Sequence, residues 1–578
     1  MQKRPIDRAG SSMRSRRSRK VQPELSNGTS PTLSLSASSS HYPVPPFQVS
    51  RRQRPLGWGA VLQLGLLGIL LEFVYLALYP LLANLSKVNS PIQTALPGLL
   101  PWLPRLYWTT AFPSLPGLLR ALPWLDPAHT TGNANLLLLV LALACILLLL
   151  AVRLGREVAD RLQSQSSPSP SVFFWALLVL TFVFALTMLW APPGQGAMLQ
   201  DMLRYGLYGH MVQMYHVNPY IVSPSTFPQD VFAVALRQEA GSTNTAVFYG
   251  PVWIDLSILV TLFTHGNLVG MLLGFRLMVL LGHLANTVLL WIILGRLRPT
   301  KRISATLLYA WNPLVLLLGI TQAHQEIIVI LFILLSVLFY QRRSPLLSIV
   351  FVLLAALINI VCLLLLPLFL RLAQQEIGTR SGLQQLFSWL GVLLICLVVT
   401  ALAYAPYWQG WGLAGLQSSI LQVLLPTNAV NSLAAALLNV PLKLPPYVLW
   451  LLSPAHWVIL SAIAVGCTLL LGLWLADSER LVLLSSCWIF LLLLLLYPVY
   501  WPWYIILPLA LALACANRDT QLLAVLLMLG ALIGYYCWLW QPTWVGQGLA
   551  TIAWAFLLWG WLLFFAALWR LSHEARRA

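Results

Sequence analysis

Charge is what this chain has least of: Asp, Glu, Lys and Arg together make up 9% of its 578 residues. A water-soluble domain carries about 25%, so a water-facing globule is excluded. Cysteine is sparse too, and all seven (Cys145, Cys362, Cys396, Cys467, Cys487, Cys515, Cys537) fall inside apolar runs. They read as small hydrophobes, with neither metal-ligand spacing nor a disulfide framework. The chain also lacks a Gly-rich phosphate loop, a His-x-x-x-His helix and any pair of adjacent aspartates. Nucleotide chemistry is therefore not expected, no metal or other cofactor is called for, and a reacting phosphate would have to come from the lipid phase. No long run alternates apolar and polar residues, which excludes a transmembrane barrel.

What is present is apolar. Hydrophobic residues make up 59% of the chain, and mean hydropathy is +0.79. Runs of up to about twenty apolar residues are those of an all-α polytopic membrane protein. Spans are expected at 58–83, 134–153, 172–191, 268–295, 303–320, 326–341, 345–358, 359–372, 387–406, 455–476, 479–497, 503–516, 520–540 and 549–570. The pair within 345–372 could equally be one long tilted helix, which would invert the parity of everything downstream. The run 252–265 is too short to cross comfortably and is expected as a juxtamembrane or re-entrant helix.

Charge distribution tests that parity. The first 54 residues hold 11 of the 34 Lys and Arg, beside Ser-rich and Pro-rich runs. Residues 1–55 are thus expected as a disordered basic cytoplasmic tail touching anionic lipid heads. They have no apolar core of the kind a signal peptide needs. With the tail inside, the cytoplasmic segments hold 27 of the 34 basic residues, and the outer loops hold six: Lys87, Arg105, Arg120, Arg204, Arg237 and Lys443. That asymmetry supports cytoplasmic termini. The net charge of +18 is a membrane-topology signal, and no nucleic-acid partner is expected. Residues 56–578 then form one transmembrane domain, with 192–267 as a large extracytoplasmic loop.

Only 16 carboxylates exist, so the candidates for chemistry can be enumerated. Most fall in the segments read as cytoplasmic. Asp201 lies just past the run 172–191 and opens a patterned polar stretch; an interfacial helix cap is the plain alternative for it. His324 and Glu326, in Gln322-Ala323-His324-Gln325-Glu326, are expected on the same face. Arg276, inside a span, must be paired or wet. Few ionisable residues lie within the runs, which favours a surface-facing catalytic cavity over a through-pathway such as a proton-coupled transporter would need.

These residues carry a resemblance. Pro192-Pro193, Asp201, Tyr205, Gly209, Asn218-Pro219-Tyr220, Tyr249-Gly250-Pro251, Arg276, Asn312-Pro313-Leu314-Val315-Leu316, His324-Gln325-Glu326 and Pro502-Trp503-Tyr504 occur in that order. The sequence resembles, over about residues 58 to 510, the GT-C superfamily of integral-membrane glycosyltransferases. Within it, the chain is similar to bacterial polyprenol-phosphate-mannose-dependent α-1,6-mannosyltransferases. It departs in having Gln325-Glu326 where the family has Asn-Asp, and in lacking a Lys near Asn359. The resemblance implies a GT-C-type bundle of about 13–14 transmembrane helices with outer-face juxtamembrane helices. It implies an inverting transfer of a hexose, mannose in that family, from a polyprenyl-phosphate donor to a glycan or glycolipid acceptor on the extracytoplasmic face; a lipid-linked sugar flippase or transporter is the alternative. It also implies Asp201 as general base, His324 and Arg276 on the departing phosphate, and Glu326 orienting His324. Arg204, Tyr205, Asn218, Tyr220, Tyr249, Trp503 and Tyr504 are the expected substrate-binding residues. For the aromatic ones an interfacial belt is the alternative reading.

Overall fold

The computed structural model describes residues 58–84, 130–162, 170–192, 197–240, 249–379, 381–426, 428–438, 445–515 and 518–544, together with 122 and 247. The expected span at 549–570, the tail, Lys87, Arg105, Arg120, Asp126, Pro193 and Lys443 lie outside the described residues. The described residues fall in a single compact unit.

Its helices are α1 (Trp58–Asn84), α2 (Thr130–Leu162), α3 (Pro170–Trp190), α4 (Ala197–Tyr215), α5 (Val231–Ala240), α6 (Pro251–Thr264), α7 (Leu268–Leu297) and α8 (Arg302–Ala310). There follow α9 (Glu326–Gln341), α10 (Pro345–Ile358), α11 (Leu366–Ile377), α12 (Gly382–Tyr404), α13 (Gly412–Leu424), α14 (Leu433–Leu438), α15 (Pro446–Leu451), α16 (Pro454–Leu475), α17 (Glu479–Leu496), α18 (Ile506–Cys515) and α19 (Arg518–Trp544). Among the described residues nine helices are long and apolar enough to cross a membrane, or ten if one bent pair forms a single span. Shorter apolar helices occupy the runs expected at 326–341, 345–358 and 503–516. This is an all-α polytopic membrane protein. Its lipid-facing character is clearest on α12, where Val392 is the one buried side chain and Leu402 is 69% exposed.

The run 303–320 departs from a straight helix. It bends by 53° between Pro299–Ala310 and the π-helical turn Val315–Thr321. The cause is Asn312-Pro313: Pro313 cannot donate to the helical ladder. Asn312 takes over, its Oδ1 accepting from the Leu314 amide at 3.0 Å and its Nδ2 donating to the Leu308 carbonyl at 3.0 Å. The bend re-aims the chain that delivers His324.

The run 345–372 is not one helix. Asn359 is extended (φ −131°, ψ 109°) and ends α10. Its side chain caps the following 3-10 turn Ile360–Leu365. The end of α10 meets the Tyr249-Gly250 loop, through a hydrogen bond from the Gly250 amide to the Ile358 carbonyl at 2.9 Å. The end of α11 instead meets the turn before α17, through Gln375 Nε2 to the Ala476 carbonyl at 2.8 Å. The same side of the bundle holds Arg296 against the Gln341 carbonyl (3.1 Å), Gln341 against Glu479 (3.2 Å), and Arg156 against Gln521 (3.2 Å). The loops rich in Lys and Arg therefore share one face, and α10 and α11 are two segments that part at Asn359.

Candidate active site

The site lies where α4 and the chain after the π turn converge. Asp201 sits in the first turns of α4, one helical step from Arg204, whose Nη1 is 3.1 Å from Asp201 Oδ1. The Tyr249 hydroxyl donates to the same oxygen at 3.2 Å. His324 Nδ1 is 3.8 Å from Asp201 Oδ2, too far for a hydrogen bond. The imidazole is fully buried and stacks on Trp503, with ring centroids 4.2 Å apart and planes 14° from parallel. Trp503 in turn stacks on Trp501 at 5.0 Å and meets Tyr504 edge-on at 6.0 Å. The sequence thus brings Asp201, Arg204, Tyr249, His324, Trp503 and Tyr504 together across about 300 residues of chain.

Burial raises the Asp201 carboxyl above its ordinary value, and the Arg204 cation and the hydrogen bonds from Tyr249 and Arg204 hold the rise back. Burial lowers His324 to about 3, so at neutral pH it is a neutral imidazole. Its approach to Asp201 is therefore not an ion pair. Both His324 ring nitrogens, Arg204 Nε, Gln325 Oε1 and Glu326 Oε2 are buried and without a hydrogen-bond partner. Native structures leave few such groups unpaired. Those of Arg204 and His324 lie beside the Asp201 carboxylate and mark a place suited to a polar ligand. Ala323 adds a second mark, with φ 51° in the left-handed region. That conformation costs an L residue about 1–2 kcal/mol, and it turns the chain directly before His324.

The other expected residues act one step away. Tyr205 is buried edge-on against Tyr249 (5.0 Å) and Trp253 (4.9 Å), beneath the site. Asn218 Nδ2 donates to the Tyr407 carbonyl at 2.6 Å, and its Oδ1 accepts from the Tyr220 amide at 3.0 Å. The Tyr220 hydroxyl donates to the Tyr249 carbonyl at 2.7 Å. The Asn-Pro-Tyr motif is thus a brace that fixes Tyr249, which in turn reaches Asp201. Arg276 is held by three carbonyls: its Nε donates to Thr321 (2.8 Å), and its Nη1 donates to Leu189 (2.9 Å) and Ala191 (2.8 Å). It ties the end of α3 to the π turn, which satisfies carbonyls a broken helix leaves open. Glu326 opens α9 and is buried next to the site, with no hydrogen bond to His324 among those the structure records.

Two glycines make this packing possible. A Cβ on Gly250 would lie 2.0 Å from the Leu357 carbonyl oxygen, and one on Gly209 would lie 2.5 Å from the Ser257 carbonyl oxygen. Pro251, directly after Gly250, starts α6 with the fixed φ that suits a first helical residue.

Sequence reasoning missed a second ionic cluster. Asp230 Oδ2 is 2.6 Å from His210 Nδ1 and 3.1 Å from the Tyr215 hydroxyl, while its Oδ1 caps α5 at the amides of Phe232 (2.8 Å) and Ala233 (3.2 Å). Burial alone would raise this carboxyl; the His210 contact and the two amides more than offset it, leaving it below the usual range. The signal was there as an Asp directly ahead of an apolar helical stretch. Among the described residues no three His, Cys, Asp or Glu side chains group as a metal site.

Residues 107–375 match the family described as "Alpha-(1->6)-mannopyranosyltransferase, N-terminal domain". The chain is 26% identical over 460 residues to "Alpha-(1->6)-mannopyranosyltransferase A" of Mycobacterium tuberculosis (strain ATCC 25618 / H37Rv), an alignment covering 75% of this chain and 82% of that protein. No solved structure matches. The family's matched stretch contains Asp201, Arg204, Tyr249 and His324, and the resemblance read from the motifs is borne out: this chain is similar over three quarters of its length to an α-(1→6)-mannopyranosyltransferase.

Proposed function

We propose that the protein is an inverting mannosyltransferase that takes mannose from a polyprenyl-phosphate donor and passes it to a glycan or glycolipid acceptor on the extracytoplasmic face. The observation that carries this is Asp201, a largely buried carboxylate gripped by Arg204 and Tyr249, with unpartnered nitrogens of Arg204 and His324 beside it. Asp201 removes the proton from the acceptor hydroxyl. The acceptor oxygen forms the new bond to the anomeric carbon as the bond from that carbon to the phosphate oxygen breaks, and the electron pair leaves on the phosphate. The raised Asp201 carboxyl suits this task, because a base works best with a pKa near the working pH.

Arg204 is the cation nearest the base, and its free Nε offers a bond to a phosphate oxygen. Neutral His324, fixed flat on Trp503, offers an N–H donor to the same phosphate as charge builds there. Arg276, bound through Nε and Nη1 to three carbonyls and with its Nη2 unpartnered, keeps Thr321 and hence His324 in place. The extracytoplasmic assignment rests on the loops rich in Lys and Arg lying on the other side of the bundle.

The test is transfer by the purified full chain in nanodiscs. Radiolabelled polyprenyl-phosphate mannose should give labelled oligomannoside with inverted anomeric configuration, and a nucleotide-linked mannose should give none. Label accepted from the nucleotide sugar, or product with retained configuration, would overturn the reading. Translocation of the lipid-linked sugar without transfer would establish the flippase alternative instead.

A further inference from the structure

Beside the site, on the far side of Tyr249, aromatic side chains gather around one exposed carboxylate. Trp411 is packed between Tyr220 (centroids 4.6 Å apart) and Tyr404 (5.7 Å), and Trp408 stands perpendicular to it at 6.5 Å, 43% exposed. Tyr407 is edge-on to Tyr220 at 5.3 Å, and its hydroxyl donates to Asp255 Oδ1 at 2.7 Å. Asp255 is an exposed residue of α6, and among the described residues its second carboxylate oxygen takes no hydrogen bond.

The arrangement is built rather than incidental. A Cβ on Gly415 would lie 2.1 Å from Trp411 Cδ1, so the indole lies flat over α13 only because that position is glycine. Asn218 fixes the backbone at Tyr407 from the other side. The shelf is also wired to the base: the Tyr220 hydroxyl holds the Tyr249 carbonyl at 2.7 Å, and the Tyr249 hydroxyl holds Asp201 at 3.2 Å.

The chemistry selects the occupant. Aromatic faces with polar edges take a ligand that is apolar on one face and polar on its rim. A carboxylate with a free oxygen accepts hydroxyl hydrogens and repels phosphates. An anionic lipid head or the phosphate end of a donor is disfavoured there, whereas an uncharged polyhydroxyl chain fits. The geometry points to the shelf of Tyr220, Tyr404, Trp408 and Trp411, with Asp255, as a binding subsite for the neutral carbohydrate chain of the acceptor, leading its terminal hydroxyl toward Asp201. This rests on the proposed transferase reading and supplies what that reading leaves open, the place where the acceptor is held.

The test is donor-free binding, which needs no turnover. The full chain in zwitterionic nanodiscs is titrated calorimetrically with α-1,6-linked mannotetraose. Asp255→Asn should raise Kd about tenfold or more, the loss expected for one hydrogen bond to a charged group, and Trp408→Ala should raise it up to about tenfold by removing an aromatic face. Trp408→Phe, which keeps a ring, should recover most of the affinity. Trp450→Ala, which removes an exposed tryptophan outside the shelf, should leave Kd unchanged. Equal affinity in all variants, or no binding by the wild type, overturns the subsite and leaves these aromatics as a membrane-interface belt. Loss of affinity on the shelf in a protein that transfers nothing from a lipid donor would sink the transferase reading while keeping the subsite. Normal transfer with unchanged affinity in the shelf variants would do the reverse.

Discussion

Gly250→Ala is the substitution with the largest consequence per atom added. Its Cβ would lie 2.0 Å from the Leu357 carbonyl oxygen, where real Cβ contacts essentially never fall below 3.0 Å. The loop or the end of α10 must therefore retreat by about 1 Å, and neither is the far end of a flexible side chain. The movement breaks the bond from the Gly250 amide to Ile358, worth about 0.5–1.5 kcal/mol. Overpacking adds about 1–3 kcal/mol, so a total of about 2–4 kcal/mol of stability is lost. The catalytic cost comes through the neighbour: Tyr249 shifts with the loop, and its hydroxyl leaves Asp201. Displacement on the scale of 1 Å costs about 10²-fold in rate. The assay pairs thermal unfolding in detergent with transfer kinetics. Gly391→Ala serves as the control, because a Cβ there meets nothing within 4 Å and a helix interior gains about 0.5–1 kcal/mol from it. A Gly250→Ala protein with wild-type unfolding and wild-type rate would refute the reasoning.

Three further outcomes follow from the same geometry. Tyr249→Phe removes a hydrogen bond that holds the Asp201 carboxyl down; because the base acts deprotonated, the acid limb of the kcat/KM profile should move to higher pH, and an unmoved limb would contradict the contact's role. Asp230→Ala should destabilise the protein by about 1–2 kcal/mol through loss of the α5 cap. Since its carboxyl is depressed in the folded state, that stability is present above the ordinary carboxylate range and is lost as pH falls through the folded value; the difference between variant and wild type should shrink in acid unfolding curves. Ala323→Gly relieves a left-handed φ of 51° and should raise stability by up to about 1 kcal/mol, read from unfolding midpoints; a marked loss would mean the Ala323 methyl packs rather than strains.

Much of the fold was legible because a bilayer makes it so. Continuous apolar runs located the helices, and the structure brings loops rich in Lys and Arg into contact with one another. What the sequence left open at 345–372 turned on Asn359, whose side chain serves as a cap, and a hydropathy run cannot show which of two neighbours it caps. The bend in 303–320 was written in Asn312-Pro313, yet its purpose became visible only when the π turn delivered His324. Among site residues, Asp201 and His324 were legible as ionisable groups at a membrane edge. The role of Arg276 was not: it is a lone cation in an apolar run, and only geometry shows it bound to three carbonyls, whereas Arg204 stands three residues from Asp201 in the sequence. Asp255 was hidden for a related reason. It sits within an apolar stretch, and its partner Tyr407 lies 152 residues away.

The central claim is that Asp201 is the base. The most direct measurement is the single-turnover transfer rate of Asp201→Asn in nanodiscs loaded with saturating polyprenyl-phosphate mannose and acceptor. Asparagine keeps the side chain's shape and a hydrogen-bond acceptor for Tyr249 but cannot take a proton. The account predicts a loss of about 10²- to 10⁴-fold, with donor affinity largely retained. A variant that transfers mannose within a few-fold of the wild-type rate would contradict it.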